Sequence, residues 1–344
     1  MIKGIMFDAR QYDIEAFEKA IAGSDITIKY YDTHLDRSTA ILAGGYDCVI
    51  AFVNDSIDKE TIDILEKNGV RLIALRCAGF NNVDVRAAYG RIHIVRVPSY
   101  SPHAVAEHAA ALLLTLVRRI HKAYIRTKDF NFSLNGLKGF NLFGKTVGVV
   151  GTGKIGACFI DIMKGFGLRV LAYDPFPSDR SDIEYVSLDE LFALSDVISL
   201  HCPLTPDTKH IINADSINKM KIGVVLINTS RGGLIDTEDL LDAIKKEKVG
   251  GACLDVYEEE SDLFFEDYSD HIVQDDVIAR LLTMPNVIIT SHQAFLTDEA
   301  LENIAETTKN NIERFFSDGK IENEVCYKCG NEKNCEKKRN EKCF

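Results

Sequence analysis

Basic side chains are in short supply. The chain carries 40 Lys and Arg against 52 Asp and Glu, a formal net charge of −12, with no sustained basic run before the last residues. A nucleic-acid backbone would meet net repulsion over such a surface, so no nucleic-acid partner is expected. Long apolar runs are missing too. None reaches the roughly 20 residues that span a bilayer, and the opening Met1-Ile-Lys lacks the pattern of a secretory signal. The expectation is no membrane partner and a cytoplasmic location. Nor do the nine cysteines form a disulfide framework. Cys48, Cys77, Cys158, Cys202 and Cys253 stand singly, mostly beside apolar residues, and read as buried reduced thiols. Cys326, Cys329, Cys335 and Cys343 crowd a polar tail whose spacing fits no standard metal site, and no metal is assigned.

Glycine, in contrast, is concentrated where it matters. Thr146-Val-Gly-Val-Val-Gly-Thr-Gly-Lys-Ile-Gly156 sets an apolar strand directly before Gly151-x-Gly153-x-x-Gly156 and a helical pattern directly after it. Glycines there let the backbone turn tightly, let a pyrophosphate approach the main chain, and let the new helix pack on the strand. The phosphates would sit at the positive end of the helix dipole. A strand over 169–174 completes the βαβ unit, and Asp174 ends it at about the 20-residue spacing where a carboxylate meets an adenosine ribose. Both ribose hydroxyls of NAD can donate to it, whereas the extra phosphate of NADP would face a like charge, so NAD is the expected cofactor.

A chain of 344 residues exceeds one typical domain. Short apolar segments predict strands over 2–7, 26–30, 48–53, 72–76 and 92–97, with a clear helix over 57–68, and so a smaller parallel α/β domain. Pro98-Ser-Tyr-Ser-Pro102 breaks the chain, and Ser101-Pro102 offers an N-cap followed by proline at the first helical position. A long helix to about Arg126 should follow. Its Ala-Ala-Ala-Leu-Leu-Leu-Thr-Leu-Val run is apolar nearly all round, which suits burial between domains or subunits. Strands over 196–200, 224–228, 251–254 and 287–290 bring the second sheet to six, and a helix over 297–316 returns to the first domain. The predicted fold is α/β, with two Rossmann-like doubly wound parallel-sheet domains. Residues 1–100 with 299–325 form the substrate domain and residues 101–298 the larger, NAD-binding one, with the active site in the cleft between them and a cysteine-bearing polar tail over 326–344.

Ligands of doubly wound sheets bind beyond the carboxyl ends of the strands. That nominates His201-Cys-Pro203, Thr229-Ser-Arg231, the segment 255–260 and Ser291-His292. Arg231 offers a planar fork for a carboxylate, and Gly232-Gly233 beside it allow close approach of a ligand or backbone. A histidine can donate a proton to a developing alkoxide. His201 and His292 both follow strands of the same sheet, and chemistry alone does not choose between them. The run Glu258-Glu-Glu260 can supply the carboxylate that keeps such an imidazole charged, and Asp255 is placed to meet the nicotinamide end.

Several further segments complete a pattern: Leu75-Arg-Cys-Ala-Gly-Phe-Asn-Asn-Val-Asp84, Val97-Pro-Ser-Tyr-Ser-Pro-His-Ala-Val-Ala-Glu107, His201-Cys-Pro-Leu-Thr-Pro-Asp-Thr208, Leu254-Asp-Val-Tyr-Glu258 and Thr290-Ser-His-Gln-Ala-Phe295. With the fingerprint they resemble the D-2-hydroxyacid dehydrogenase family, most closely its NAD-dependent D-lactate dehydrogenases, from about Gly45 to Val325. The resemblance implies Arg231, Glu260 and His292 as catalytic residues. It implies Gly151, Gly153, Lys154, Ile155, Gly156, Asp174, Cys202, Pro203, Thr208, Thr229, Ser230, Arg231 and Asp255 as the NAD site. Backbone amides of Ala78 and Gly79, with Arg231, would hold the substrate carboxylate, and Phe52, Tyr100 and Phe295 would line its methyl group. Phe52 departs from the tyrosine expected in many relatives. Pyruvate is the expected 2-keto acid, with phenylpyruvate or a branched-chain keto acid as the alternative, and a non-catalytic NAD(H)-sensing module as a reading of another class. A homodimer or higher homo-oligomer is implied as well.

Overall fold

Leucine, isoleucine and valine runs without polar alternation become strands covered on both faces, as parallel sheets require. The computed structural model describes residues 1–259, 263–265, 267–317, 319 and 321–327. They divide into two units, Met1–Ser101 with the residues from Thr297 onward, and Pro102–Leu296.

The first unit runs β1 (Ile2–Met6), α1 (Gln11–Ile21), β2 (Ile26–Tyr30), β3 (Cys48–Ala51), α2 (Lys59–Lys67), β4 (Leu72–Leu75), α3 (Val85–Ala88) and β5 (His93–Arg96). Its sheet has the order β2-β1-β3-β4-β5, with every pair parallel. α2 starts later than its apolar pattern because Asp58 caps it, accepting from the Thr61 amide at 2.8 Å.

The second unit runs α4 (Pro102–Val117), α5 (Ile120–Lys128), β6 (Thr146–Val150), α6 (Lys154–Gly165), β7 (Arg169–Tyr173), β8 (Glu184–Tyr185), α7 (Leu188–Leu194) and β9 (Val197–Leu200). It continues through α8 (Ala214–Lys219), β10 (Val224–Asn228), α9 (Thr237–Lys245), β11 (Val249–Leu254), α10 (Asp276–Leu282) and β12 (Val287–Ile289). The order β12-β11-β10-β9-β6-β7-β8 is again parallel throughout. It has seven strands where six were expected, because the edge strand β8 spans two residues and leaves no periodicity to read.

The expected single helix to Arg126 is two. Arg119 adopts a left-handed conformation (φ 55°) and donates through its guanidinium to the Pro285 carbonyl at 3.0 Å, which ends α4 and lets α5 restart in a new direction. α4 owes part of its all-round apolar surface to the core of its own unit. Ala106, Ala109, Leu113 and Leu116 pack among Val147, Val149, Phe159 and Met163 inside the second unit's own core. No helix among the described residues is long and apolar enough to cross a membrane.

The last helix, α11 (Asp298–Ser317), belongs to the first unit and lies against α1 and β4. The chain then runs beside β5: Arg96 donates to the Asn323 carbonyl and Val325 donates to that of Ile94. The start of the polar tail is still in contact with this unit. Cys326 is exposed, but Tyr327 is fully buried, its hydroxyl accepting from the Ile94 amide at 2.9 Å and donating to Glu324 at 2.8 Å. Cys329, Cys335 and Cys343 lie outside the described residues. Tyr327→Phe would leave the buried Ile94 amide without its acceptor, so urea denaturation should show a loss of about 1–3 kcal/mol. An unchanged midpoint would mean that this segment does not support the fold.

Candidate active site

β6 lies between β7 and β9, where the winding of the second sheet reverses, so the turn after β6 opens into the crevice such sheets use for ligands. The three fingerprint glycines do different work there. Gly151 (φ 94°) passes so close to the β9 loop that a Cβ would lie 2.7 Å from the Cys202 amide, and a Cβ on Gly156 would lie 2.0 Å from the Gly151 carbonyl oxygen. Gly153 meets nothing within 4 Å and faces open space. α6 begins there with no side-chain cap, leaving the first-turn amides, those of Lys154 and Ile155 among them, for an anion. This cradle fits the pyrophosphate of NAD. Asp174 also has a second duty that its position in the sequence did not reveal. One carboxylate oxygen accepts from the Thr152 amide (2.7 Å) and hydroxyl (3.1 Å), the other from the Phe176 amide (2.9 Å), so it braces the turn.

At the end of β9 the His201 Nε2 sits 2.8 Å from the Ser199 hydroxyl, and its Nδ1 is shielded from solvent with no hydrogen-bond partner among the described residues. Burial drives its pKa down to about 3. A ring kept neutral by burial is a poor proton donor to an alkoxide, which weighs against His201 in that role. Burial pushes the Cys202 thiol up to about 11, so it stands as an uncharged wall. Thr208 fixes the loop beyond, donating to the Pro203 carbonyl at 2.6 Å and accepting from the Thr205 amide at 2.8 Å.

Asn228 closes the turn after β10. Its side chain accepts from the Ser230 amide at 3.0 Å and donates to the Arg231 carbonyl at 2.8 Å. The Thr229 hydroxyl is buried with no protein partner among the described residues, a polar atom suited to a bound ligand. Arg231 is half-buried and donates to the Ser230 carbonyl at 2.6 Å. The close approach signalled by Gly232 is made by backbone: a Cβ there would lie 1.9 Å from the Tyr257 carbonyl oxygen.

β11 ends in Asp255, fully buried, which collects four donors. Thr290 donates its hydroxyl at 2.5 Å, Gln293 and Ala294 donate amides at 2.9 and 2.8 Å, and the His108 Nε2 lies 3.3 Å away. Burial raises its pKa, but the bonds from His108, Thr290 and the two amides outweigh that and hold it below the ordinary carboxylate value. Asp255 thereby shapes the turn after β12. The His292 amide donates to the Asp255 carbonyl at 2.7 Å, and His292 itself takes the left-handed conformation (φ 52°), which costs about 1–3 kcal/mol in a non-glycine residue. Its ring lies beside Phe265, 5.9 Å between centroids, and Phe295 is buried just beyond. Glu260 lies outside the described residues.

The first unit carries its own candidates at the ends of adjacent strands: Phe52 after β3, Ala78 and Gly79 after β4, and Tyr100 after β5. The amides of Ala78 and Gly79 donate to no protein acceptor among the described residues, while the Ala78 carbonyl is held by Arg96 at 2.7 Å. Phe52 is held by its own backbone. Its amide donates to Asp55 at 2.6 Å and its carbonyl accepts from Asn82 at 2.8 Å. The sequence did not announce His108, although a histidine breaking an otherwise apolar helix is a signal. Among the described residues no three His, Cys, Asp or Glu side chains gather as metal ligands. Cys48, Cys77, Cys202 and Cys253 are buried free thiols, whereas Cys158 is partly exposed, contrary to the buried reading of all five.

The sequence profile of the D-isomer specific 2-hydroxyacid dehydrogenase NAD-binding domain matches residues 110–294. A 2-hydroxyacid dehydrogenase homologue of Haemophilus influenzae is 50% identical, over 94% of this chain and 99% of its own. The D-lactate dehydrogenase of Escherichia coli is 50% identical, over 90% and 96%. The solved pyruvate reductase of Chlamydomonas reinhardtii superposes with a TM-score of 0.89 at 46% identity, covering 94% of this chain and 98% of that one.

The shielded His201 also makes a statement about acid stability. Its pKa falls from 6.5 to about 3 on folding, so within that window the unfolded chain binds a proton that the folded chain does not, and stability declines as pH drops. His201→Asn should flatten this decline when urea midpoints are compared between neutral and mildly acidic buffer. An equally steep decline in the variant would assign acid sensitivity to other groups.

Proposed function

We propose the following role for a chain that belongs to the D-isomer specific 2-hydroxyacid dehydrogenases, a family of NAD-dependent oxidoreductases: reversible reduction of a small 2-keto acid, pyruvate before others, to the D-2-hydroxy acid. One observation carries the assignment of the chemistry. Arg231, Asp255 and His292 follow the adjacent parallel strands β10, β11 and β12, so all three emerge on the edge of the sheet where the fingerprint turn also opens. The first unit is the substrate domain in this reading and the second the NAD-binding domain.

Arg231 grips the substrate carboxylate with its fork, and the amides of Ala78 and Gly79 take the same group, which sets the keto carbon in a fixed orientation. Bound NADH supplies the hydride to that carbon. His292, kept charged by Glu260, gives its proton to the carbonyl oxygen, so hydride and proton together make the alcohol. Asp255 holds the turn that aims His292. Phe52, Tyr100 and Phe295 enclose the methyl group, which favours pyruvate over phenylpyruvate or branched-chain keto acids. The names of the relatives, D-lactate dehydrogenase and pyruvate reductase, support the same choice.

A homodimer fits the second unit's surface. Ile120, Tyr124 and Ile125 in α5, with Phe130, Leu134 and Phe143 in the loop to β6, are each more than half exposed, a stretch that water alone covers poorly.

NADH oxidation followed over a panel of keto acids should show the highest kcat/KM with pyruvate. Arg231→Lys should lower it by at least about 100-fold through loss of the bidentate grip. His292→Gln should abolish turnover yet keep NADH affinity. Wild-type kinetics in Arg231→Lys would sink the carboxylate assignment, and tight NADH binding without turnover of any acid would point to a sensing role instead. Light scattering should give twice the chain mass. Phe130→Asp with Leu134→Asp should shift it to the monomer, and a monomeric parent would end the dimer proposal.

A further inference from the structure

We infer that His210 is a positioning residue, which through Glu258 locks the turn carrying Arg231 to the acidic segment leading to Glu260. The inference rests on the role of Arg231 proposed above. His210 is held in the left-handed conformation (φ 51°) with its amide donating to the Gly233 carbonyl at 2.9 Å and its carbonyl accepting from the Asn213 side chain at 2.9 Å. Its ring stands between two carboxylates. Nε2 is 2.5 Å from one oxygen of Glu258, and Nδ1 is 3.5 Å from Asp236, the N-cap of α9. The second Glu258 oxygen accepts from the Thr237 hydroxyl at 3.0 Å.

Four pieces of chain meet at this imidazole. The loop bearing Pro203 and Thr208 supplies it, the turn after Arg231 receives its amide, the start of α9 supplies Asp236 and Thr237, and the segment after β11 supplies Glu258. No slack is left between the second and the fourth, because a Cβ on Gly232 would lie 2.4 Å from the Glu258 amide. Arg231 is the residue before that contact, and Glu258 begins the acidic run. A strained backbone, a hydrogen-bonded ring nitrogen with a second carboxylate near the other, and a side chain used on both carboxylate oxygens together amount to a built junction, unlike a surface ion pair between flexible chains. Neither His210 nor Glu258 is assigned to touch substrate or cofactor. Their effect passes through the placement of Arg231 and the acidic segment.

The full-length protein tests this by rapid mixing in a single turnover, NADH-loaded enzyme against saturating pyruvate. His210→Ala and Glu258→Gln should each lower the rate constant of NADH oxidation by about tenfold to a hundredfold, the scale of a misplacement near 1 Å, with full amplitude and unchanged NADH affinity. The double variant should be no slower than the slower single one, and His210→Gln, which keeps a donor toward Glu258, should recover part of the rate. A partly unfolded population would instead lower the amplitude at an unchanged rate constant, and that result would overturn the inference, as would additive losses in the double variant. Wild-type rates in His210→Ala beside a disabled Arg231→Lys would remove this junction alone. Wild-type rates in both would remove the proposed role of Arg231 and the junction with it.

Discussion

A methyl group at Gly156 would lie 2.0 Å from the Gly151 carbonyl oxygen, and one at Gly232 would lie 1.9 Å from that of Tyr257. Those two contacts between backbones set the distances on which the NAD cradle and the arginine turn both depend. At the first, α6 starts close enough to β6 for its uncapped amides to face the opening of the turn. At the second, the turn after β10 is pressed onto the segment after β11, so the backbone after Arg231 and that at Glu258 are held together. Any side chain at either glycine would have to displace the backbone of the adjoining turn. The chemistry is thus positioned by absence of bulk as much as by the groups that perform it.

Carboxylates do the complementary work. Asp255, fully buried, gathers four donors to shape the turn of His292, and the half-buried Asp174 braces the fingerprint turn. A charge satisfied in this way is anchored, and the turns built on it inherit its rigidity. The left-handed backbone at His292 is strain that such an anchor can hold in place.

The strands were legible because buried parallel strands are written as unbroken Val, Ile and Leu runs, and the nucleotide turn because Gly151 and Gly156 leave no room for a side chain. What escaped the sequence were features created by distant partners. The break after α4 depends on Pro285 receiving the Arg119 guanidinium, and the buried state of α4 depends on a core assembled from β6, α6 and β10. The two candidate histidines follow strands of one sheet and differ only in surroundings, one ring shielded and held neutral, the other set on a strained turn. Asp255 pairs with His108 across the chain, which no local pattern announces. Phe52 alone gave no hint of what holds it.

Its support shows how the first unit spends stability on geometry. The Arg76 guanidinium, almost wholly buried, stacks 4.0 Å from the centre of the Phe52 ring while donating to Asp13 at 3.0 Å and to the Asp8 carbonyl at 2.6 Å. Asp55 clamps the Phe52 and Leu35 amides, each at 2.6 Å. Burial lifts Asp55 from 3.8 to about 6, although those two amides and Arg76 pull the other way. Between these values the folded chain holds a proton that the unfolded chain has released, so the favourable contribution present in acid is lost as pH rises through about 6. At neutral pH the fold therefore carries an unfavourable buried charge whose visible return is a fixed Phe52 backbone beneath a cationic lid. A ring held from its face and from both of its peptide groups has little freedom to move. In the proposed substrate-lining role of Phe52, a narrow pocket wall would follow from the energetics of this unit as directly as from the size of the side chain.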